Sequence, residues 1–222
     1  MITHLGIIAD GNRRWAREQG LPTIEGHKKG LETIQSLVEA ASAAGIKFVT
    51  FYVFSTENWG RSAEEVSYIM KLAETRILEY AEKLASKNAK LLILGSREKI
   101  SPKLMSILEQ AEKITADSTG ITVCFCFNYG GEQEIADAAK IAGKVDGEIT
   151  PETIRKHLYH PEVPNIDMVV RTSGEERISG FMLWRSAYAE FYFMKKYFPE
   201  MNVDDMKEIL AEYEKRNRRF GK

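Results

Sequence analysis

The chain has 222 residues, of which 44% are hydrophobic and 28% charged, and its formal net charge is −1. That balance suits one soluble globular domain with a sizeable core, and it excludes both a strongly basic nucleic-acid binder and an acidic tail. No apolar run approaches the roughly 18 residues of a membrane span.

The predicted strands are residues 5–9, 48–54, 91–94, 121–127 and 168–170. Helical periodicity occupies 28–44, 63–87, 102–116, 131–142 and 203–218. Most of the strands are continuously apolar, as in a sheet covered on both faces, and strands alternating with helices predict an α/β domain with a mostly parallel sheet. No repeat or linker divides the chain, so residues 1–222 read as a single domain. The chain runs directly into a strand-like segment, which is read as the absence of a signal peptide. Cys124 and Cys126 alternate within one predicted strand. They read as buried thiols of a cytoplasmic protein, because residues two apart in an extended strand cannot form an ordinary disulfide.

In an open parallel sheet, ligands bind beyond the carboxyl ends of the strands. Four predicted strands end there in polar segments: Asp10-Gly11-Asn12, Ser55 through Trp59, Asn128 through Gly131, and Arg171 through Glu175. In "IIADGNRRWA" the acid Asp10 precedes Gly11, a helix start near Asn12, then Arg13 and Arg14. Helix amides and guanidinium forks suit phosphate, and a carboxylate beside phosphates suits Mg²⁺. The same residues are equally consistent with an N-cap followed by a solvated basic face. In "VVRTSGEERISGF", Arg171, Arg177 and Ser179 form either a second anion pocket or a loop salt-bridged through Glu175 and Glu176. His27, read as standing at a helix start after Gly26, is either structural or a phosphate donor and proton relay. Glu190 interrupts an aromatic run; a buried carboxylate needs a partner, and a Mg²⁺ shared with Asp10 would be one.

The apolar stripe Val66, Ile69, Met70, Ala73, Ile77, Tyr80, Ala81 and Leu84 has helical spacing. It either covers the sheet or lines an elongated apolar cavity that Phe125 and Phe127 could also line or close. Two anion pockets, a magnesium site and an apolar slot would together suit an amphiphilic diphosphate. The sequence carries no P-loop, dinucleotide-binding, zinc or nucleophile-elbow motif that would compete.

The segments "DGNRRWA", "GHKKG", "YVFSTENWGRS", "NYGG", "RTSGEERISGFMLWRSAYAEFYF" and "RRFG" resemble, in the same order and over nearly the whole chain, the cis-prenyltransferases, the family of undecaprenyl diphosphate synthases. The resemblance implies condensation of isopentenyl diphosphate with an allylic diphosphate, with Mg²⁺, in a homodimer with an elongated hydrophobic tunnel. It implies that Asp10 binds Mg²⁺, and that the backbone at Gly11, with Asn12, Arg13, Arg14, His27 and Arg61, holds the allylic diphosphate. Arg171, Arg177 and Ser179 would hold the diphosphate of isopentenyl diphosphate. Ser55 and Asn58 would assist proton removal, and Trp15, Phe54 and Trp59 would shape the apolar side. Glu190 would complete the magnesium environment from the partner subunit or near its interface. Arg219 and Gly221 would reach into the neighbouring site. Nucleic acid is not expected as a partner; peripheral membrane association is, for product release.

Thr23 replaces a basic residue common in the family, Ala9 a common methionine, and Glu176 a commonly different residue. Val53, Phe125 and Phe127 are bulkier than usual, so a product shorter than eleven units is expected. The alternatives are irregular allylic coupling or cyclisation on the same fold, or a non-catalytic lipid-binding partner subunit.

Overall fold

The computed structural model describes residues 1–216. Six strands form one sheet: β1 (His4–Ile8), β2 (Phe48–Ser55), β3 (Lys90–Leu94), β4 (Thr122–Tyr129), β5 (Met168–Arg171) and β6 (Glu190–Phe193). Their order is β3-β4-β2-β1-β5-β6, and every pairing is parallel. All six carboxyl ends therefore lie along one edge, the geometry that the polar segments after the strands imply. β1, β4 and β5 are buried throughout, as expected of strands covered on both faces.

The helices are α1 (Asn12–Glu18), α2 (Thr23–Ala43), α3 (Ala63–Ser86), α4 (Pro102–Ile114), α5 (Gly131–Val145), α6 (Pro151–Lys156) and α7 (Val203–Lys215). A 3₁₀ turn spans Thr56–Gly60. Three elements differ from the pattern-based expectation. α2 begins at Thr23 rather than near residue 28, so His27 lies inside the helix and not at its start. Gly26 lies within the helix: a Cβ there would stand 2.0 Å from the Asn12 carbonyl oxygen, so the missing side chain lets α1 lie directly on α2. β6 is a four-residue edge strand with every residue half-buried, which hides it from a search for continuous apolar runs. The six-residue α6 is too short to show helical periodicity.

One core cluster packs α2, α3, α4 and α7 against one face of the sheet, and a second fills the other face around Cys124, Cys126, Tyr129 and Phe181. Both cysteines are free and buried, and burial pushes the Cys124 thiol up to about 12. His4 is fully buried. Its Nδ1–H donates to the Pro164 carbonyl (2.9 Å), and its Nε2 shares a hydrogen bond with the Thr50 hydroxyl (2.7 Å), so both nitrogens of the neutral ring are satisfied. Burial pushes its pKa down to about 4 from 6.5. Below pH 6.5 the unfolded chain therefore takes up a proton that the folded chain refuses. Stability is expected to fall from pH 7 to pH 4, with His4 contributing about 3 kcal/mol of that loss. Urea titrations at the two pH values check this: in His4→Asn the loss should shrink by about that amount.

Candidate active site

β1 ends at Ile8, and two residues further on one hydroxyl holds the backbone of Asp10. Thr172 Oγ1 accepts from the Asp10 amide (3.0 Å) and donates to the Asp10 carbonyl (2.7 Å). Gly11 follows with φ 99°, a conformation that favours glycine, and a Cβ there would meet the Tyr197 ring at 2.6 Å. This turn projects the Asp10 carboxylate over the carboxyl edge of the sheet. α1 has only seven residues, so it offers free amides rather than a long dipole.

A continuous line of charge crosses the site. Asp10 Oδ2 pairs with Arg171 Nη2 at 2.9 Å, and Oδ1 lies 3.3 Å from Arg14 Nη2. Arg14 Nη1 pairs with Glu175 at 2.9 Å, and Glu175 pairs with Arg177 at 2.6 Å. Arg171 Nη1 donates to Ser179 Oγ (2.9 Å) and to the Arg177 carbonyl (2.5 Å). Burial alone would push the Asp10 carboxyl up. The hydrogen bond and charge of Arg171, with Arg14 and the Gly11 amide, outweigh it and hold the group below its ordinary range. Asp10 is thus ionised at neutral pH. The two expected anion pockets are joined through it, and Glu175 bridges their arginines instead of merely neutralising a loop.

The opposite wall is organised by Glu65, which the sequence reading did not single out. It takes Arg61 at 2.8 Å, Arg13 at 3.4 Å and His27 Nε2 at 3.5 Å. Its signal was present in Ser62-x-x-Glu65, a helix-start pattern whose Ser62 hydroxyl caps α3 at the Glu65 amide. Burial, then the Arg61 charge, push the His27 pKa down, so its ring is neutral. Its Nε2 is buried without a hydrogen-bond partner among the described residues. A cavity of about 300 Å³ opens between the walls, lined by Ala9 through Arg14, Arg17, His27 and Arg61.

Ser55 ends β2 at the same edge, and the 3₁₀ turn follows it. The Ser55 amide donates to Asn58 Oδ1 (3.1 Å), and Trp59 packs edge-to-face on Phe54. Trp15, on α1, is half-buried. A second cavity, of about 370 Å³, lies between α2, α3 and the sheet; Val53, Ile69, Ala73, Ile77, Tyr80, Phe125 and Phe127 are among its lining residues. The stripe of α3 thus both covers the sheet and lines an apolar space. What the described residues enclose is a cavity; they do not show an elongated tunnel.

Glu190 does not join Asp10 within one chain. The register pairs it with Met168, at the opposite end of β5 from Arg171, and three residues of strand span about 10 Å. It is only half-buried, and its partner is Arg216 at 3.2 Å. Arg219 and Gly221 lie outside the described residues. No group of three metal-ligating acidic, histidine or cysteine side chains occurs among the described residues. One ionised, partly exposed carboxylate facing a phosphate-sized cavity still fits Mg²⁺, which takes few carboxylates and completes its shell with phosphate oxygens and water. No helix among the described residues is long and apolar enough to cross a membrane.

An all-parallel sheet carrying arginines and an ionised aspartate at its carboxyl edge, beside an apolar cavity, defines an α/β protein built for amphiphilic anions. The chain belongs to the prenyltransferase family described as putative undecaprenyl diphosphate synthase, whose model matches residues 8–221. It is similar to the isoprenyl transferase of Thermotoga maritima, with 42% identity over 98% of this chain and 96% of that protein. It is also 42% identical to the farnesyl-diphosphate-specific ditrans,polycis-undecaprenyl-diphosphate synthase of Vibrio parahaemolyticus, over 98% of this chain and 90% of that one. Among solved structures it resembles lavandulyl diphosphate synthase from Lavandula x intermedia, in complex with dimethylallyl diphosphate. That match has a TM-score of 0.94 and 31% identity, covering 100% of this chain and 98% of that chain. A probable undecaprenyl diphosphate synthase from Campylobacter jejuni matches at TM-score 0.87 and 29% identity, covering 100% and 99%.

Proposed function

We propose that the chain elongates an allylic diphosphate with isopentenyl diphosphate to give a Z-polyprenyl diphosphate, releasing diphosphate. The observation that carries this reading is the unbroken line from Arg14 through Asp10 and Arg171 to Ser179, which brings the residues of the two expected anion pockets together. Gly11, Asn12, Arg13, Arg14, His27 and Arg61 hold the allylic diphosphate; His27 Nε2, near Glu65 but without a hydrogen bond, suits a donor to an incoming phosphate oxygen. Arg171, Arg177 and Ser179 hold isopentenyl diphosphate, whose terminal carbon bonds to C1 of the allylic chain as the C1–O bond breaks. Ser55 and Asn58 take part in removing the proton that the new cis double bond releases. The apolar wall excludes water from the allylic carbon, and holding both substrates in line makes the step nearly unimolecular.

Asp10 would hold Mg²⁺ with substrate oxygens, and the ion would neutralise charge on the departing diphosphate. Glu190 serves that environment only if a second chain brings it there, so the reading includes a homodimer. Two measurements check it. EDTA should abolish incorporation of labelled isopentenyl diphosphate, and added Mg²⁺ should restore it. Arg177→Ala should raise KM for isopentenyl diphosphate about tenfold or more while changing KM for the allylic substrate little, the loss expected for one charge-assisted contact. Full turnover in EDTA would contradict the reading.

The product is proposed to be shorter than eleven units. Phe125 stacks on Tyr80 at 5.5 Å between centroids, and Phe127 lies tilted against Phe54 at 5.6 Å, narrowing the cavity where a growing chain would extend. Phe125→Ala should shift products by one or more isoprene units upward on chromatographic sizing; an unchanged distribution would contradict this. Coupling of two allylic diphosphates is the second reading, favoured by the dimethylallyl diphosphate in the lavandulyl diphosphate synthase neighbour.

A further inference from the structure

Asn128 is the penultimate residue of β4 and has every polar atom of its side-chain amide hydrogen-bonded. It is 2% exposed. Its Oδ1 accepts the Trp59 indole N–H at 2.7 Å. Its Nδ2 donates to the carbonyl of Ser96 at 2.8 Å and to that of Glu98 at 2.7 Å. The chemistry fixes this orientation, because an indole N–H can only donate and carbonyls can only accept. The backbone adds another tie: the Ser96 amide donates to the Asn128 carbonyl (3.0 Å). A Cβ at Gly95 would stand 1.8 Å from the Phe127 carbonyl oxygen, so the loop after β3 lies flat on the end of β4. Asn128 itself has φ 51°, a conformation asparagine tolerates better than most residues.

A buried amide spending both hydrogens on one loop and its oxygen on another does more than finish a strand. Trp59 sits between Asn58 and Arg61, and the same short turn starts at Ser55. We infer that Asn128 is a positioning residue: through the Trp59 indole it fixes the 55–61 segment against the rigid sheet, and so places Ser55 and Asn58 at the reacting carbons. This rests on the proposed elongation reaction. It touches no substrate, and it assigns the "NYGG" asparagine a task that the anion-pocket argument left open. A misplacement of about 1 Å by a residue away from the chemistry can cost on the order of a hundredfold in rate.

The test uses Asn128→Gly, which keeps the left-handed backbone unstrained while removing the amide, together with Trp59→Phe and the double variant. Expected for Asn128→Gly are a fall in kcat of about 10- to 100-fold and a KM for isopentenyl diphosphate within twofold, since Arg171 and Arg177 are untouched. The ¹⁵N–¹H resonance of the Trp59 indole, assigned from its loss in Trp59→Phe, should move or broaden in Asn128→Gly. The two substitutions should also be non-additive: Asn128→Gly should cost less than about threefold further in the Trp59→Phe background. A merely structural asparagine would lower activity equally in both backgrounds. Multiplying effects, an unmoved indole resonance, or a kcat within threefold of the parent would each overturn the assignment. If the parent chain fails to incorporate isopentenyl diphosphate at all, the proposed reaction fails with it; if the parent is active, any of those outcomes removes only the role of Asn128.

Discussion

Asp10→Ala is expected to lower kcat by about 10²–10³-fold, the loss typical of removing one preorganised electrostatic group from a reacting centre. The reason is placement. The carboxylate is 29% exposed and touches the guanidinium of Arg171, itself 6% exposed, so it lies at the junction of the two cationic sites and faces the cavity. It is the only acid lining that cavity among the described residues, so no neighbour replaces its charge. Asp10→Asn should lose nearly as much, since it keeps the shape and removes the ionised form that Arg171 and Arg14 maintain. Stability should change little, because a partly solvated ion pair contributes about 1 kcal/mol or less. Steady-state kinetics with a thermal melt separate the two: low turnover with an unchanged melt is expected, and near-normal turnover would remove Asp10 from the chemistry.

Arg185→Met is expected to have the largest effect on folding, a loss of about 3–5 kcal/mol, or roughly 10 °C in Tm. Arg185 and Glu134 pair at 2.7 Å with both side chains fully buried, on the face of the sheet away from α2 and α3. The guanidinium also donates to the carbonyls of Val163, Tyr159 and His160. The Glu134 carboxylate accepts from the Tyr159 amide and the Tyr129 hydroxyl. One ion pair thus ties α5, the 159–163 loop and the segment after Ser179 to the end of β4. Removing one partner leaves the other charge buried and uncompensated, whereas Glu134→Leu with Arg185→Met removes both. The double variant should recover at least half of the lost stability in urea titration. A double variant as unstable as the single one would show that the carbonyl contacts, not the buried charge, dominate.

The sheet was legible because β1, β2, β4 and β5 are continuous apolar runs, and a parallel sheet buries such runs on both faces. The meeting of Asp10 and Arg171 was legible for a related reason: polar residues at the ends of buried strands have one edge on which to meet. The elements that escaped lack such a signal. β6 is a half-exposed edge, and α6 is shorter than two helical turns. α2 was started too late, after Gly26, because nothing local shows that this glycine serves a close approach to Asn12 inside the helix. Arg185 and Glu134 are distant-partner residues, whereas Glu65 had a local signal but its contacts with Arg13 and His27 are distant. Nothing local says that a glutamate on an amphipathic helix will meet an arginine 51 positions later. Glu190 was read as buried because an acid among aromatics looks so, yet on an edge strand it is half-buried and turns to Arg216.

The central claim, that the joined cationic sites take one isopentenyl and one allylic diphosphate, is tested most directly by labelled isopentenyl diphosphate with a series of allylic primers, alongside dimethylallyl diphosphate supplied alone. The expected result is a labelled polyprenyl series that requires both substrates and stops short of eleven units. Product from dimethylallyl diphosphate alone, with no incorporation of isopentenyl diphosphate, would contradict it.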